Sequence, residues 1–198
     1  MSTTNLISKS LGDILIESGN GTPDHTSPIG SLYSDKDTGT LHKNVDGAIA
    51  WINFNGVAHG EVYYVGNTNA TSITGATSWV SVGNTFTSGD MTAFSANSNT
   101  MVLLDGYDGD YQINASATLD YVGGADNFEV GFSINGAVPV DGTYGSGNVD
   151  ATYTTANIGT TAVTTLTGGT TIELAVRNLD GTNDIIITHG QIFSKLLK

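Results

Sequence analysis

Apolar and polar residues alternate without interruption between Asp110 and Tyr121. One set of alternate positions is apolar or aromatic: Tyr111, Ile113, Ala115, Ala117, Leu119 and Tyr121. The other set is polar: Gln112, Asn114, Ser116, Thr118 and Asp120. Because successive side chains of a β-strand point to opposite faces, this pattern predicts a strand with one buried and one solvated face.

Shorter segments with a β pattern fill the rest of the chain after residue 56. The predicted strands are Glu61–Val65, Trp79–Val82, Thr100–Leu104, Asp110–Val122, Asn127–Val138, Asp150–Thr155, Thr160–Leu166, Thr170–Asn178 and Asp184–Leu197. Turn dipeptides separate several of them, at Gly123-Gly124, Asn135-Gly136, Gly168-Gly169 and Asp180-Gly181. The run Gly145-Ser146-Gly147 is predicted to be a flexible loop. Many short strands without a long helix indicate a β-sandwich or jelly roll over residues 57–198.

The first 22 residues have a different pattern from the rest. Their apolar side chains can lie on one side of a short helix, and residues 14–16 can equally form a strand; the apolar set is Leu6, Ile7, Leu11, Ile14 and Leu15. A polar terminus is usually a flexible tail. The alternative, which we adopt as the prediction, is that residues 1–22 are an anchor segment held by another chain.

Residues 23–56 predict a small β-meander. The turn signal Asp35–Gly39 separates two short β segments, and a second turn at Asp46-Gly47 leads to an apolar segment that ends with Trp51 and Phe54. A meander of this size is too small to be stable alone. We therefore expect it to be buried against a neighbour or against copies of itself.

Composition supports a β-rich protein and excludes several classes of partner. The chain has 198 residues, of which 38% are hydrophobic and only 13% are charged, and its formal net charge is -13. So acidic a chain repels phosphate groups, so we expect neither nucleic-acid binding nor docking on anionic lipid. The chain has no cysteine, which excludes disulfides and thiolate metal sites. We find no signal peptide and no apolar run long enough to span a membrane, so we expect synthesis in a cytoplasm.

Three carboxylates lie close together in the sequence, at Asp105, Asp108 and Asp110. Oxygen ligands at such spacing suit Ca²⁺. However, the segment lies between two predicted strands and contains Asp-Gly pairs, which also form ordinary turns. Calcium binding and a plain acidic turn are therefore both open, and no other cofactor is expected.

Catalytic residues are not evident. The four histidines, His25, His42, His59 and His189, are scattered without metal-ligand spacing. A single histidine near a threefold axis can supply three nitrogens to one metal, but surface or packing roles are the usual alternative. No Gly-x-Ser-x-Gly elbow stands in a strand-turn-helix context, so we expect no enzyme activity.

Aromatic residues near predicted loops are candidates for a binding surface. The aromatic residues near predicted loops or strand ends are Tyr63, Tyr64, Trp79, Tyr107, Tyr144 and Tyr153. Aromatic rings together with Asn, Asp and Gly can stack on sugars, and Tyr107, Tyr144 and Tyr153 are the glycan-binding candidates. The alternative is that these rings pack beneath the loops.

One segment resembles a module of tailed-bacteriophage fibre and virion proteins. The resemblance rests on Pro28-Ile-Gly-Ser-Leu-Tyr33, on Thr38-Gly-Thr-Leu-His42 and on the pair Ala50-Trp51. Those modules run Pro-x-Gly-Ser-Leu-Tyr, then a Thr-Gly-Thr-Leu-Tyr-like strand, then a Gly-rich turn and Trp. His42 stands where they usually have an aromatic residue.

The segment from Gly109 to Lys198 resembles the C-terminal part of the TNF/C1q-like jelly roll. The matching segments are Gly109–Ile113, Phe128–Gly136, Thr170–Asn178 and Ile185–Phe193. The resemblance implies a homotrimer. The pattern supports this independently, because Ile185–Ile187 is apolar on both faces although only one face of each sheet reaches a sandwich core. Loops or the N-terminal module covering that face are the alternative.

The two resemblances together imply a structural protein of a bacteriophage particle. We expect an all-β homotrimer with a jelly-roll head at residues 57–198, a small β module at 23–56 and an anchor at 1–22. The head would decorate the capsid or form a short head fibre on the virion surface, attached to capsid or other virion proteins. One alternative is a tail-tip adhesin that binds a cell-surface glycan. A second is a non-viral C1q-like lectin.

Overall fold

The computed structural model describes residues 9–11, 14–53, 58–120, 125–139, 142–150 and 155–197, and these residues contain strands but no helix. No helix in this part of the chain is therefore available to cross a bilayer. The chain divides into two compact units, Met1–Val57 and Ala58–Lys198. We call them the N-terminal unit and the head.

The N-terminal unit is a single five-stranded sheet with the order β1-β2-β3-β4-β5. Its strands are β1 (Lys9–Leu11), β2 (Ile14–Gly19), β3 (Leu32–Asp35), β4 (Leu41–Asn44) and β5 (Trp51–Asn53). The pair β2–β3 is parallel and the other pairs are antiparallel. The helical alternative for residues 1–22 is wrong where the structure describes them, because pairing with β1 and β3 places Ile14–Gly19 in a strand. Leu6 and Ile7 lie outside the described residues.

One face of this sheet carries a small aromatic cluster. Tyr33 is 2% exposed, and its ring centroid lies 5.9 Å from Trp51, 5.6 Å from His25 and 6.3 Å from His42. His42 thus packs edge-on against Tyr33. The cluster brings together residues from β3, β4, β5 and the segment after β2.

The described part of the head, within residues 58–197, contains twelve strands in two sheets. They are β6 (His59–Val65), β7 (Ala70–Thr71), β8 (Val80–Ser81), β9 (Thr87–Ser88), β10 (Phe94–Asn97), β11 (Thr100–Leu103), β12 (Gly109–Asp120), β13 (Asp126–Ile134), β14 (Tyr144–Val149), β15 (Thr155–Leu166), β16 (Thr171–Asn178) and β17 (Ile185–Leu196). Sheet I has the order β15-β12-β17-β6-β9, with β7 beside β17. Sheet II has the order β10-β11-β16-β13-β14, with β8 beside β16.

The strand order identifies the head as a jelly roll. Its eight main strands are β6, β11, β12, β13, β14, β15, β16 and β17. Numbered one to eight along the chain, they give the sheet orders 6-3-8-1 and 2-7-4-5, which are those of two nested Greek keys. The predicted fold class, an all-β jelly-roll sandwich, is confirmed. The trimeric state stays a prediction.

The core lies between the two sheets, and alternation along the strands places it there. The inward side chains of β12 are 0–4% exposed: Tyr111, Ile113, Ala115, Ala117 and Leu119. In β13, Phe128, Val130 and Phe132 are 0–2% exposed. Burying one large apolar side chain stabilises the fold by about 1.5–3 kcal/mol, so these two strands contribute much of the stability of the head. The predicted buried face of β12 is confirmed for the described residues.

Several strand boundaries differ from the prediction: β15 begins at Thr155 rather than at Thr160, and β8 covers only Val80–Ser81. The segment Tyr144–Val149 is strand β14, not a flexible loop. A Cβ on Gly145 would lie 2.5 Å from the carbonyl oxygen of Gly159, so glycine is required here because β14 packs closely against β15. Strand β13 ends at Ile134, because Asn135 (φ 52°) and Gly136 (φ 71°) form a tight turn closed by the hydrogen bond from Ala137 N to Ile134 O. Most of the predicted strand Asp150–Thr155 lies outside the described residues.

Candidate interaction surfaces

The outer face of sheet I carries a shallow groove of about 520 Å³. Two cross-strand rows line it: Tyr63, Gln191, Ser116 and Gly159 in one, and Val65, His189, Thr118 and Asn157 in the other. The side chains from β12 and β15 in these rows are small or of moderate size, namely Ser116, Thr118, Asn157 and Gly159, which leaves room for the groove. The groove combines one aromatic wall with hydroxyl and amide groups, so it suits contact with protein or ligand more than acid–base chemistry.

The centre of this face has almost no charge. The four outward residues of β12 between Asp110 and Asp120 are all uncharged: Gln112, Asn114, Ser116 and Thr118. Glu61 is the one carboxylate on the outward side of β6, and it accepts a hydrogen bond from Gln191. In a chain with net charge -13, this face is a surface that a second acidic molecule can approach with little repulsion.

Strand β15 forms the edge of sheet I beside this groove. It is 12 residues long, contains no charged residue and no proline, and pairs with β12 but with no other described strand. Its outward residue Val163 is 62% exposed. Monomeric proteins usually protect such edges with charges, prolines or bulges. The edge and the groove together form what we call the sheet I surface.

The outer face of sheet II carries an aromatic cluster around Arg177, the only arginine in the chain. Its guanidinium carbon lies 4.7 Å from the ring centroid of Trp79 and 5.3 Å from that of Tyr144. Its Nε donates a hydrogen bond to Glu129, which also accepts one from Ser146. A cation held between two rings and paired with a mostly buried carboxylate is rigidly oriented.

Beside this cluster lies a small groove of about 120 Å³, which we call the sheet II groove. Trp79 and Ser81 line one side, Val138 and Pro139 line the other, and Ala175 lies at the floor. Glu173 also lines the groove and accepts a hydrogen bond from the Ser81 hydroxyl at 2.6 Å.

The predicted acidic site is not assembled as a metal site. Asp108 accepts a hydrogen bond from Gly168 N at 2.7 Å, and Asp110 accepts one from the Thr165 hydroxyl at 2.6 Å. A Cβ on Gly168 would lie 2.4 Å from Asp105 Oδ1, so the Asp105 carboxylate packs against the turn that contains Gly168. Among the described residues, no group of three His, Asp or Glu side chains is placed to hold a metal ion. These contacts favour the alternative of an acidic turn.

The predicted glycan-binding tyrosines are not brought together. Tyr107 is 9% exposed and its carbonyl oxygen accepts a hydrogen bond from the Tyr111 hydroxyl, so its ring is not available for stacking. Tyr144 is half-buried against Trp79, at 5.5 Å between ring centroids. Tyr153 lies outside the described residues. The burial of Tyr107 favours the alternative of packing for this ring. No sequence pattern indicated that Arg177 lies beside Trp79 or that Glu173 lines the same groove.

In the head, the side chains with clearly shifted pKa values are tyrosines that pack in the core. Burial raises the pKa of Tyr111 to about 12 and raises the pKa of Tyr64 further. Both side chains are in the core, and the hydroxyl of Tyr64 has no hydrogen-bond partner among the described residues. Both pKa shifts follow mainly from burial in the core, and Tyr107 and Asp108 add to the shift of Tyr111, so these shifts reflect packing.

Of the predicted anchor residues, Leu11 lies in β1, and Ile14 and Leu15 lie on opposite sides of β2. Ile16, which was not in the predicted set, lies on the same side as Ile14. Ile14 is 42% exposed and Ile16 is 41% exposed, whereas Leu15 is half-buried. On the other face, burial lowers the pKa of His42, and the hydroxyl of Thr38 is the main cause that lowers the pKa of Asp35. Glu17 is buried and accepts hydrogen bonds from Ser27 and from His25.

No protein-family model and no curated protein sequence matches the chain. The chain is similar in structure to murine APRIL at pH 8.5, with 14% identity, a TM-score of 0.46 and coverage of 70% of this chain and 99% of that one. It is also similar to the globular domain of zebrafish complement 1qA protein, with 13% identity, a TM-score of 0.49 and coverage of 72% and 98%. Both have the TNF/C1q-like jelly roll that the sequence resembles. At this identity the likeness concerns the fold alone, and the fold class itself follows from the strand order of the head.

Proposed function

We propose that this chain is a homotrimeric structural protein of a bacteriophage particle, a capsid decoration or a short head fibre on the virion surface. The head projects from the particle, and the N-terminal unit attaches it to a capsid or other virion protein. The proposal combines the resemblance of Pro28–Tyr33 and Trp51 to phage fibre modules with the surface properties of the jelly roll.

The proposal of a trimer rests mainly on the sheet I surface. A long uncharged edge strand lies beside an uncharged concave face, in a chain whose net charge is -13. An edge of this kind is an aggregation site unless another chain covers it. Copies of one acidic chain repel each other least where charge is absent, so the sheet I surface is where protomers meet.

The N-terminal unit supports an attachment role. Its outward side exposes aliphatic residues that a monomeric protein would cover: Ile14, Ile16, Ile29 and Ile49, all between 41% and 65% exposed. Exposed apolar groups grouped in a small unit mark protein–protein contact sites. We therefore extend the anchor from residues 1–22 to this outward face.

Sedimentation of the full chain tests the trimer. Val163 on β15 and Val138 in the turn after β13 are similarly exposed, at 62% and 67%. We expect the natural chain and Val138→Asp to sediment as trimers at micromolar concentration, and Val163→Asp to sediment as a monomer, because it places three like charges in the contact. Circular dichroism should show all three folded. A monomeric natural chain, or a trimeric Val163→Asp, contradicts the proposed interface.

A second candidate is an adhesin that binds a cell-surface glycan from a tail tip, and the aromatic wall of the sheet II groove favours it. Immunogold labelling of particles separates the two functions. Label distributed over the capsid supports decoration, and label confined to the tail supports the adhesin. Absence of label on particles contradicts both, and leaves a non-viral C1q-like lectin.

A further inference from the structure

The sheet II groove has a rigid aromatic wall. Trp79 packs against Tyr144 and over the guanidinium of Arg177, and Arg177 is fixed in turn by Glu129. Residues on three strands and a turn thus hold one indole ring in a single orientation. An aromatic side chain held in this way binds a flat apolar surface without losing further side-chain freedom.

The polar side of the groove presents an oriented acceptor. Asn99 Nδ2 donates to the Ser81 hydroxyl at 3.1 Å, and that hydroxyl donates to Glu173 Oε2 at 2.6 Å. Because its own proton is used, Ser81 orients Glu173 rather than competing for a ligand. No described residue donates a hydrogen bond to the second oxygen of Glu173, so this oxygen can accept hydrogen bonds from a ligand.

The opposite wall is short and apolar. Val138 is 67% exposed, and the turn that carries it is fastened by the hydrogen bond from the Ser133 hydroxyl to Ala137 O, at 2.6 Å. The floor is formed by Ala175, which is 3% exposed. The walls therefore stand at a fixed separation, and the volume of about 120 Å³ is well below that of pockets for drug-sized ligands, about 300–1,000 Å³.

We infer that the sheet II groove binds a single neutral sugar ring at the end of a glycan. The apolar face of the ring stacks on Trp79, its hydroxyl groups donate to Glu173, and Val138 contacts its edge. A neutral sugar is favoured over an acidic one because Glu173 and the net charge of -13 repel carboxylates. The inference rests on the proposed function in one respect, since only a trimer displays three such grooves together.

The test uses the full chain with Trp51→Phe, so that Trp79 is its only tryptophan. The probes are methyl glycosides of neutral hexoses and N-acetylhexosamines, with methyl glucuronide as the acidic comparison. We expect at least one neutral glycoside to change Trp79 fluorescence with a Kd on the order of 1 mM, which is the range for so small a ligand. Glu173→Gln should weaken binding at least tenfold.

Glu61→Gln is the matched control, because Glu61 is also a carboxylate that accepts a hydrogen bond from a neutral side chain, but on sheet I. It should bind as the parent does. No response to any neutral glycoside, or equal weakening by Glu61→Gln and Glu173→Gln, overturns the inference. On a glycan array, Val163→Asp should lose multivalent binding while keeping the single-site Kd. A failed trimer is thereby distinguished from a failed sugar site.

Discussion

Phe132 offers the sharpest test of the jelly-roll core. It lies in β13, is 2% exposed and stands opposite Leu174 in the register of β13 with β16. Replacing it with alanine removes most of a buried ring and leaves a cavity, which costs about 3–5 kcal/mol in comparable cores. Domains of ordinary stability unfold with about 5–15 kcal/mol, so Phe132→Ala should remove a large share of the stability of the head.

The expected cost corresponds to a fall in Tm of roughly 6–20 °C for a protein of this size. Urea unfolding of the full chain, followed by Trp79 fluorescence with Trp51→Phe, reports on the head. Protein concentration must be held constant, since assembly contributes to apparent stability. The urea midpoint should fall while the slope stays unchanged.

Leu104→Ala is the control for this prediction, because Leu104 is 41% exposed and its loss creates no closed cavity. Leu104→Ala should lower the free energy of unfolding by only a small fraction of the loss caused by Phe132→Ala. An unchanged midpoint for Phe132→Ala, or equal losses for both variants, would show that β13 does not present Phe132 to the core.

Two further predictions concern particular contacts. Because burial lowers the pKa of His42, the neutral ring is favoured in the folded state. The N-terminal unit should therefore be most stable above the unfolded-state pKa of about 6.5 and should lose stability as the pH falls through that value. Trp51 fluorescence in the Trp79→Phe variant measures this loss, and His42→Tyr should reduce the pH dependence of stability. Gly145→Ala should destabilise the head, because its Cβ would lie 2.5 Å from Gly159 O, whereas Gly181→Ala meets nothing within 4 Å. Equal urea midpoints for the two alanine variants would refute the close packing of β14 on β15.

Local patterns in the sequence were sufficient to predict those features that depend on the geometry of a single strand or turn. Alternation along β12 predicted which side chains are buried, because the two-residue period of a strand depends on backbone geometry alone. The turn at Asn135-Gly136 was likewise predicted from residue type, since both positions need a positive φ. The fold class followed from many such short elements and the absence of helical periodicity.

Local patterns failed where a neighbouring strand decides the conformation. Gly145 and Gly147 have low β propensity, and only the close approach of β15 explains their place in a strand. Residues 14–16 suited a helix or a strand equally, and pairing with β1 and β3 decided between them.

The sequence by itself determined the all-β class, the inward face of β12 and the acidic character, from which we expect no binding to nucleic acid. Only the tertiary structure decided which residues come together in the candidate interaction surfaces. Trp79, Glu129, Tyr144 and Arg177 come from separate segments and meet because β8, β13, β14 and β16 are neighbours in sheet II. The uncharged edge at β15 likewise exists only because that strand lies at the end of sheet I. The physical reason is that a strand's period is local, whereas its neighbours are set by pairing between distant parts of the chain.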